Sequence, residues 1–254
     1  MEVHQHSHTP RKKWTHYFWE FIMLFLAVFS GFLAENQREH YVEQQREKQF
    51  INSLISDIEA DTTRLSAIVN GRDLREAQLD SLSFLLNSDS ATRYTRDIYF
   101  YAHIITRHVI LLFTPNDGTM QQLKNAGGLR LIRKHWVTDS IVKYDVAARS
   151  LQRLGDQEIN IADIYRLTAP EVLNAEELGK FSDADNNPIR LTHNPPLSPG
   201  YKEHLNEYNY RLLSIKNINK GYRRETRKLL IQAKNLLITL KEEYHLSERT
   251  PLEK

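Results

Sequence analysis

Apolar residues recur along most of this chain at intervals of three and four, the period of a helix with one buried face. The longest case runs Tyr201, Leu205, Tyr208, Leu212, Ile215, Asn219, Tyr222, Thr226, Leu229, Ala233, Leu236 and Leu240, and ten of these twelve positions are apolar or aromatic. Leu230, Leu237 and Tyr244 widen the stripe at seven-residue steps, so a bundle or coiled-coil helix is predicted here. A second apolar face develops at Phe50, Ile51, Leu54, Ile55 and Ile58, resumes at Leu65, Ile68 and Val69, and returns at Leu79, Leu82 and Leu86. Ile98, Tyr101, Ile105, Val109 and Leu112 predict a helix ending near Phe113. Val137, Ile141, Tyr144, Ala148 and Leu151 predict another, continuing past a weak point at Gly155 to about Leu167.

One stretch has no polar face at all. Phe21 to Phe29 is apolar at nine consecutive positions, within an uncharged run from Phe21 to Ala34. Fourteen uncharged residues are fewer than the roughly 20 that cross a bilayer's hydrocarbon core. The wider segment Trp14–Ala34 has 21 residues and would reach about 31 Å as a helix. Its only formal charge is Glu20, near one end. Ten Leu, Ile, Val and Phe side chains contribute roughly −3 to −6 kcal/mol of insertion free energy, against about +3 for one central charge. Trp14, Tyr17 and Trp19 suit an interfacial aromatic belt, and Arg11, Lys12 and Lys13 lie just outside it. A membrane anchor is therefore expected, with the basic cluster on the cytoplasmic side. The rival readings are a cleaved signal peptide, with Val28 and Ser30 before Gly31, and a buried soluble helix.

Punctuation divides the rest. No Gly or Pro occurs between Phe32 and Gly71, so the anchor is expected to continue as helix, with a kink at Asn70-Gly71. Asn87–Ser90 and Pro115–Gly118 read as turns, Thr119 as the cap of a helix from Met120 to Asn125, and Gly127-Gly128 as its stop. Five of the eight prolines fall between Pro170 and Pro199, marking an irregular crossover. The expected organisation is a tail (1–13), a transmembrane helix (14–35), a bundle region (36–169), a Pro-rich crossover (170–200), a last bundle helix (201–247) and a tail (248–254). The fold class is all-α.

Composition narrows the chemistry. The absence of cysteine removes disulfides, thiol catalysis and thiolate metal sites together. A formal net charge of +2 gives no sign of a nucleic-acid binder. His4, His6 and His8 alternate on the N-terminal tail and make at most a weak, unselective chelator. His103 and His108 are five apart and so on different helix faces, and no HExxH occurs. Asp183, Asp185 and Asn187 begin like a calcium loop, but Pro188 stands where its glycine belongs and Asn194 where its glutamate belongs. No catalytic set, metal site or cofactor is expected.

Two surfaces remain. Ala27 and Gly31, with Ser30 and Ala34, repeat a small-xxx-small spacing that lets two helices approach in lipid, so a homodimer contact is expected there. Lys216, Lys220, Arg223, Arg224, Arg227 and Lys228 put six basic residues in thirteen positions, opposed only by Glu225. This stripe reads as a solvated face pairing with acidic residues such as Glu39, Glu43 and Glu47, or as a contact for anionic lipid or polysaccharide.

Three segments together resemble a family of uncharacterised bacterial single-span membrane proteins. They are Gly31-Phe-Leu-Ala-Glu-Asn-Gln-Arg-Glu-His40, with the His-rich start before it; Thr119-Met-Gln-Gln-Leu-Lys-Asn-Ala-Gly-Gly-Leu-Arg-Leu-Ile132; and Asp139-Ser-Ile-Val-Lys-Tyr144. The resemblance covers about the first 150 residues and implies an N-terminal anchor with a helical extracytoplasmic region. It implies no activity. Taken together, these features point to a non-enzymatic membrane-anchored scaffold or interaction module in the bacterial inner membrane, with its bulk outside the cytoplasm. A ligand-binding, sensor-like helical bundle is the alternative, and an enzyme a distant third.

Overall fold

With helix signals on either side of a single proline-rich window, the chain folds as helices. The computed structural model describes residues 14–88, 91–107, 111–125 and 127–246. Among them are α1 (Trp14–Leu86), α2 (Thr95–Arg107), α3 (Gly118–Asn125), α4 (His135–Val172), α5 (Ala175–Gly179) and α6 (Tyr201–Glu243). The described residues contain no strand; one isolated bridge joins Ser182 and Pro188. The all-α expectation holds. His4, His6, His8, Arg11, Lys12, Lys13, His108, Val109 and the tail at 248–254 lie outside the described residues.

The chain divides into two units, Met1–Phe50 and Ile51–Lys254. In the first, every described residue belongs to α1. Its apolar residues face outward: Phe21, Leu24, Phe25 and Val28 are all exposed. Phe21, Phe25 and Phe29 stack at successive turns, with ring centroids 6.3 and 5.8 Å apart. His16 Nε2 lies 3.2 Å from Glu20, a partner for the segment's one carboxylate. Arg38 forks onto Glu35 through two hydrogen bonds of 2.6 and 3.0 Å.

The second unit is a bundle. Ion pairs of Lys241 with Glu59 (2.8 Å) and Lys216 with Asp80 (2.6 Å) set α6 antiparallel to this part of α1. Lys134 with Glu243 at one end and Tyr165 with Tyr208 further along set α4 antiparallel to α6. Consequently α4 runs parallel to α1, as the contacts Tyr144–Asp61 (2.7 Å) and Arg72–Glu158 (2.5 Å) require. α2 lies antiparallel to α4: Arg166 donates to Thr106 O, and Asn174 N to the Tyr99 hydroxyl. Between them Leu79, Leu82, Ile98, Ala102, Tyr165, Val172, Tyr208 and Leu212 form a core exposed by no more than 1%.

Several boundaries depart from the sequence reading. α1 continues through Asn70-Gly71 without ending. Gly71 serves packing instead, since a Cβ on it would overlap the Leu111 side chain. α2 ends at Arg107 rather than near Phe113, and residues 111–117 form a strap with no regular secondary structure. Thr119 lies inside α3 and is not its cap; its N–H donates to Asp57 Oδ2 (3.3 Å) from α1. α4 holds Pro170 in its last turn and ends at Val172, so the irregular crossover begins at 173, not 170. The last helix ends at Glu243, short of 247, where Tyr244 caps it through Leu240 O.

The crossover is pinned rather than loose. Tyr99 donates its hydroxyl to Pro196 O (2.8 Å) and stacks on Phe181. Ser198 N donates to Val172 O (3.0 Å), and the Arg190 guanidinium sits 4.0 Å from the Phe100 ring centroid while pairing with Asp97. Asp183 accepts from Asn187 N and Nδ2, closing a turn in which Asn186 takes a positive φ, so the calcium-like motif is a hydrogen-bonded turn.

Candidate functional site

The apolar stripe of α1 has a gap between Ile68 and Leu79, and helical spacing fills it with Arg72 and Arg75. In α4 the stripe beyond Leu151 continues through Gly155 and Glu158; in α6 it includes Asn219. The fold brings these interruptions together. Arg72 and Glu158 are both 1% exposed, and Asn219 is fully buried. Arg72 Nη1 donates to Glu158 Oε1 at 2.5 Å and to Asn219 Oδ1 at 3.3 Å, and Nη2 donates to Leu111 O at 2.9 Å. Asn219 Nδ2 returns a bond to Arg72 O (3.2 Å), and the guanidinium stacks 4.1 Å from the Tyr222 ring centroid. The Tyr222 hydroxyl accepts from Phe113 N at 2.7 Å.

This polar layer joins α1, α4, α6 and the 111–117 strap. The Phe113 N–H has a tertiary partner that a helical ladder would take from it, and Leu111 C=O, whose helical donor would be the N–H that Pro115 lacks, is satisfied by Arg72. Gly155 makes room for the strap, because a Cβ there would lie 3.0 Å from Leu112 and 3.5 Å from Tyr222. One turn along α1, Arg75 is 7% exposed, and its Nε is buried without a hydrogen-bond partner, as are Arg72 Nε and Glu158 Oε2. Burial holds the Arg75 pKa below the ordinary guanidinium value against the opposing pull of Glu158. An arginine stays charged even so. The layer thus holds two buried cations and one carboxylate. Adjacent to it, the Tyr165 and Tyr208 hydroxyls share a 2.5 Å hydrogen bond, and burial pushes both phenols above their ordinary range.

A second polar cluster fastens the turn before α3. Asp57 accepts from Asn116 Nδ2 (2.8 Å), and Asp61 accepts from Asn116 N (2.9 Å) and the Tyr144 hydroxyl (2.7 Å). Lys124 and Arg149 converge on Asp145. Burial raises the Asp145 pKa and the two cations lower it, with a net depression. Asp61 differs: burial outweighs its hydrogen bonds and raises its pKa. A raised carboxyl pKa means that the fold prefers the protonated form. The penalty of ionising it is therefore absent below the ordinary value of 3.8 and complete above the raised native pKa. Asp61→Asn should accordingly melt above the wild type at neutral pH, with the gain vanishing as pH falls through that window. Thermal melts of both proteins across the acid range check this; equal melting temperatures at neutral pH would contradict it.

The sequence-predicted basic stripe is a ladder between α6 and α1. Lys216 meets Asp80, Lys220 meets Glu76 (3.7 Å), Arg223 meets Asp73 (2.7 Å) and Glu76, and Arg227 meets Asp73 (2.9 Å). Arg224 and Lys228 instead pair along their own helix with Glu225, at 2.9 and 3.1 Å. The acidic partners are Asp73, Glu76 and Asp80, not the expected Glu39, Glu43 and Glu47. Along α1, Ala27, Ser30, Gly31 and Ala34 are exposed, and a Cβ on Gly31 would meet nothing within 4 Å. After α3, Leu123 and Ile132 are buried, and Leu129 and Leu131 half-buried.

No family model, no curated protein and no solved structure matches this chain. Function must be argued from its geometry. The described residues hold no cluster of three metal-ligating side chains. His103 is buried, with Nε2 3.1 Å from Ser182 Oγ. The buried polar layer escaped sequence reasoning, although its signal was present in four polar residues, Arg72, Arg75, Glu158 and Asn219, at core positions of three amphipathic stripes.

Proposed function

We propose that this chain is a non-enzymatic, membrane-anchored helical scaffold or interaction module. One observation carries the reading. Phe21–Phe29 is an uninterrupted apolar run on a helix long and apolar enough to cross a membrane, and it is exposed along its length except at Ile22. Exposed apolar surface on this scale favours lipid over water. His16 beside Glu20 supports insertion by giving that carboxylate a partner. The polar interior supports a structural role, because Arg72, Glu158, Asn219 and Tyr222 are committed to one another and to the strap. On this reading the anchor sits in a bacterial inner membrane, with residues 1–13 in the cytoplasm and the bundle outside it, in keeping with the family resemblance. The small-residue face at Ala27, Ser30, Gly31 and Ala34 joins two copies.

Paired C-terminal reporters test the topology: an alkaline phosphatase fusion should be active and a cytoplasm-requiring fluorescent fusion dark. The reverse pattern overturns the orientation. In a membrane two-hybrid assay the anchor should self-associate, with Gly31→Ile reducing the signal several-fold. A signal unaffected by Gly31→Ile removes the dimer.

A further inference from the structure

We propose that the groove on α6 beside Glu76 is a binding site for a compact, phosphate-bearing polyanion. It is an open groove of about 540 Å³ lined by Lys220, Arg223, Arg224, Arg227 and Lys228, with Glu76 at one wall. That volume lies within the range of small-ligand sites, roughly 300–1,000 Å³. Charge selects the ligand's sign. Five cations share three carboxylates, Asp73, Glu76 and Glu225, so the groove keeps a positive excess after every ion pair is formed.

The cations divide into two sets. Lys220, Arg223 and Arg227 are tied to α1, and this set holds the groove's wall in place. Arg224 and Lys228 are 69% and 66% exposed and, among the described residues, pair with Glu225 of their own helix alone. Exposed intrahelical pairs are weak. A multivalent anion can therefore draw both side chains away from Glu225 without disturbing α1–α6 packing. Three of the five cations are arginines, whose planar forks match phosphate oxygens two at a time. Among the described residues, Ile231 is the only apolar member of the lining, and no aromatic side chain contributes to it. A base or sugar ring would find no stacking surface there, which favours a compact ligand whose affinity comes from charge. The inference is independent of the anchor's orientation.

Inorganic tripolyphosphate is the probe, titrated calorimetrically into the full chain in phosphatidylcholine nanodiscs. Saturable binding is expected, weakened at least tenfold in Arg224→Ala/Lys228→Ala. That variant spares the α1–α6 ladder, and an unchanged melting temperature verifies its fold. Lys241→Ala, which removes a cation paired with Glu59 outside the groove, should bind as the wild type does. No binding, or equal losses in the double variant and Lys241→Ala, overturns the proposal. Discs containing phosphatidylglycerol identify the source. A lipid headgroup occupying the groove would lower tripolyphosphate affinity in the wild type and not in the double variant. Equal wild-type affinity in both discs assigns the groove to a free phosphate compound.

Discussion

Glu158→Leu should cost about 3–5 kcal/mol of folding stability, the usual loss when one partner of a buried ion pair is removed. Glu158 is the one carboxylate facing Arg72 and Arg75, and all three lie under 8% exposed. Its removal leaves two buried guanidinium groups one turn apart with no counter-charge. Neither can escape by deprotonation. Leucine is close to glutamate in volume, so the loss reports electrostatics more than a cavity. The matched pair Arg72→Met/Glu158→Leu should recover only part of it: burying two apolar groups avoids the cost of desolvating two charges, but Arg75 still lacks the counter-charge that Glu158 supplied. Arg72 also satisfies Leu111 O and Asn219 Oδ1, and these would be left in the interior without their donor. Denaturant unfolding of the full chain in micelles, followed by far-ultraviolet circular dichroism, measures the cycle. A loss below about 1 kcal/mol in Glu158→Leu would show that the layer is hydrated in solution rather than dry.

Leu24→Arg with Phe25→Arg should release the chain from membranes. The segment's apolar side chains contribute roughly −3 to −6 kcal/mol to insertion, and each arginine at the centre opposes it by about 2.5–3.5 kcal/mol. Two such substitutions also remove two favourable residues, so the sign of the total reverses. Fractionation should move the protein from the carbonate-resistant membrane pellet to the supernatant. Leu74→Arg with Phe84→Arg is the matched control. These residues are 62% and 75% exposed on the bundle part of α1, and charges there face water in any orientation. The control should stay in the pellet. If the Leu24/Phe25 variant stays there too, something other than this segment holds the chain on the membrane.

The last helix shows how far periodicity reaches. Ten members of its 4–3 stripe are buried from Tyr208 to Leu240, and only Tyr201 and Leu205, at its first turns, are half-exposed. Helix ends were harder to read, because they depend on partners remote in the chain. α2 stops where Leu111 and Phe113 find Arg72 and Tyr222, and α3 begins where Asp57 receives the Thr119 N–H. Pro170 reads as a helix stop because a proline lacks the N–H that would bond the carbonyl one turn back and its ring crowds that carbonyl. Ser198 Oγ donates to Pro170 O across the crossover, and α4 nonetheless runs two residues further.

By itself the sequence determined the helical class, the apolar segment long enough to cross a membrane, and the buried faces. Each follows from a pattern only a few residues long, and a helix buries one stripe whatever its partner is. Only the tertiary structure decided what the polar residues do. Arg72 lies 86 residues from Glu158 and 147 from Asn219, and nothing in local spacing places them at one level of the bundle. Register between α1, α4 and α6 does so, through packing of side chains along their whole length. The same register brings Asp73, Glu76 and Asp80, rather than Glu39, Glu43 and Glu47, against the basic stripe of α6. It thereby settles which cations are tied to α1 and which, Arg224 and Lys228, are held only within their own helix.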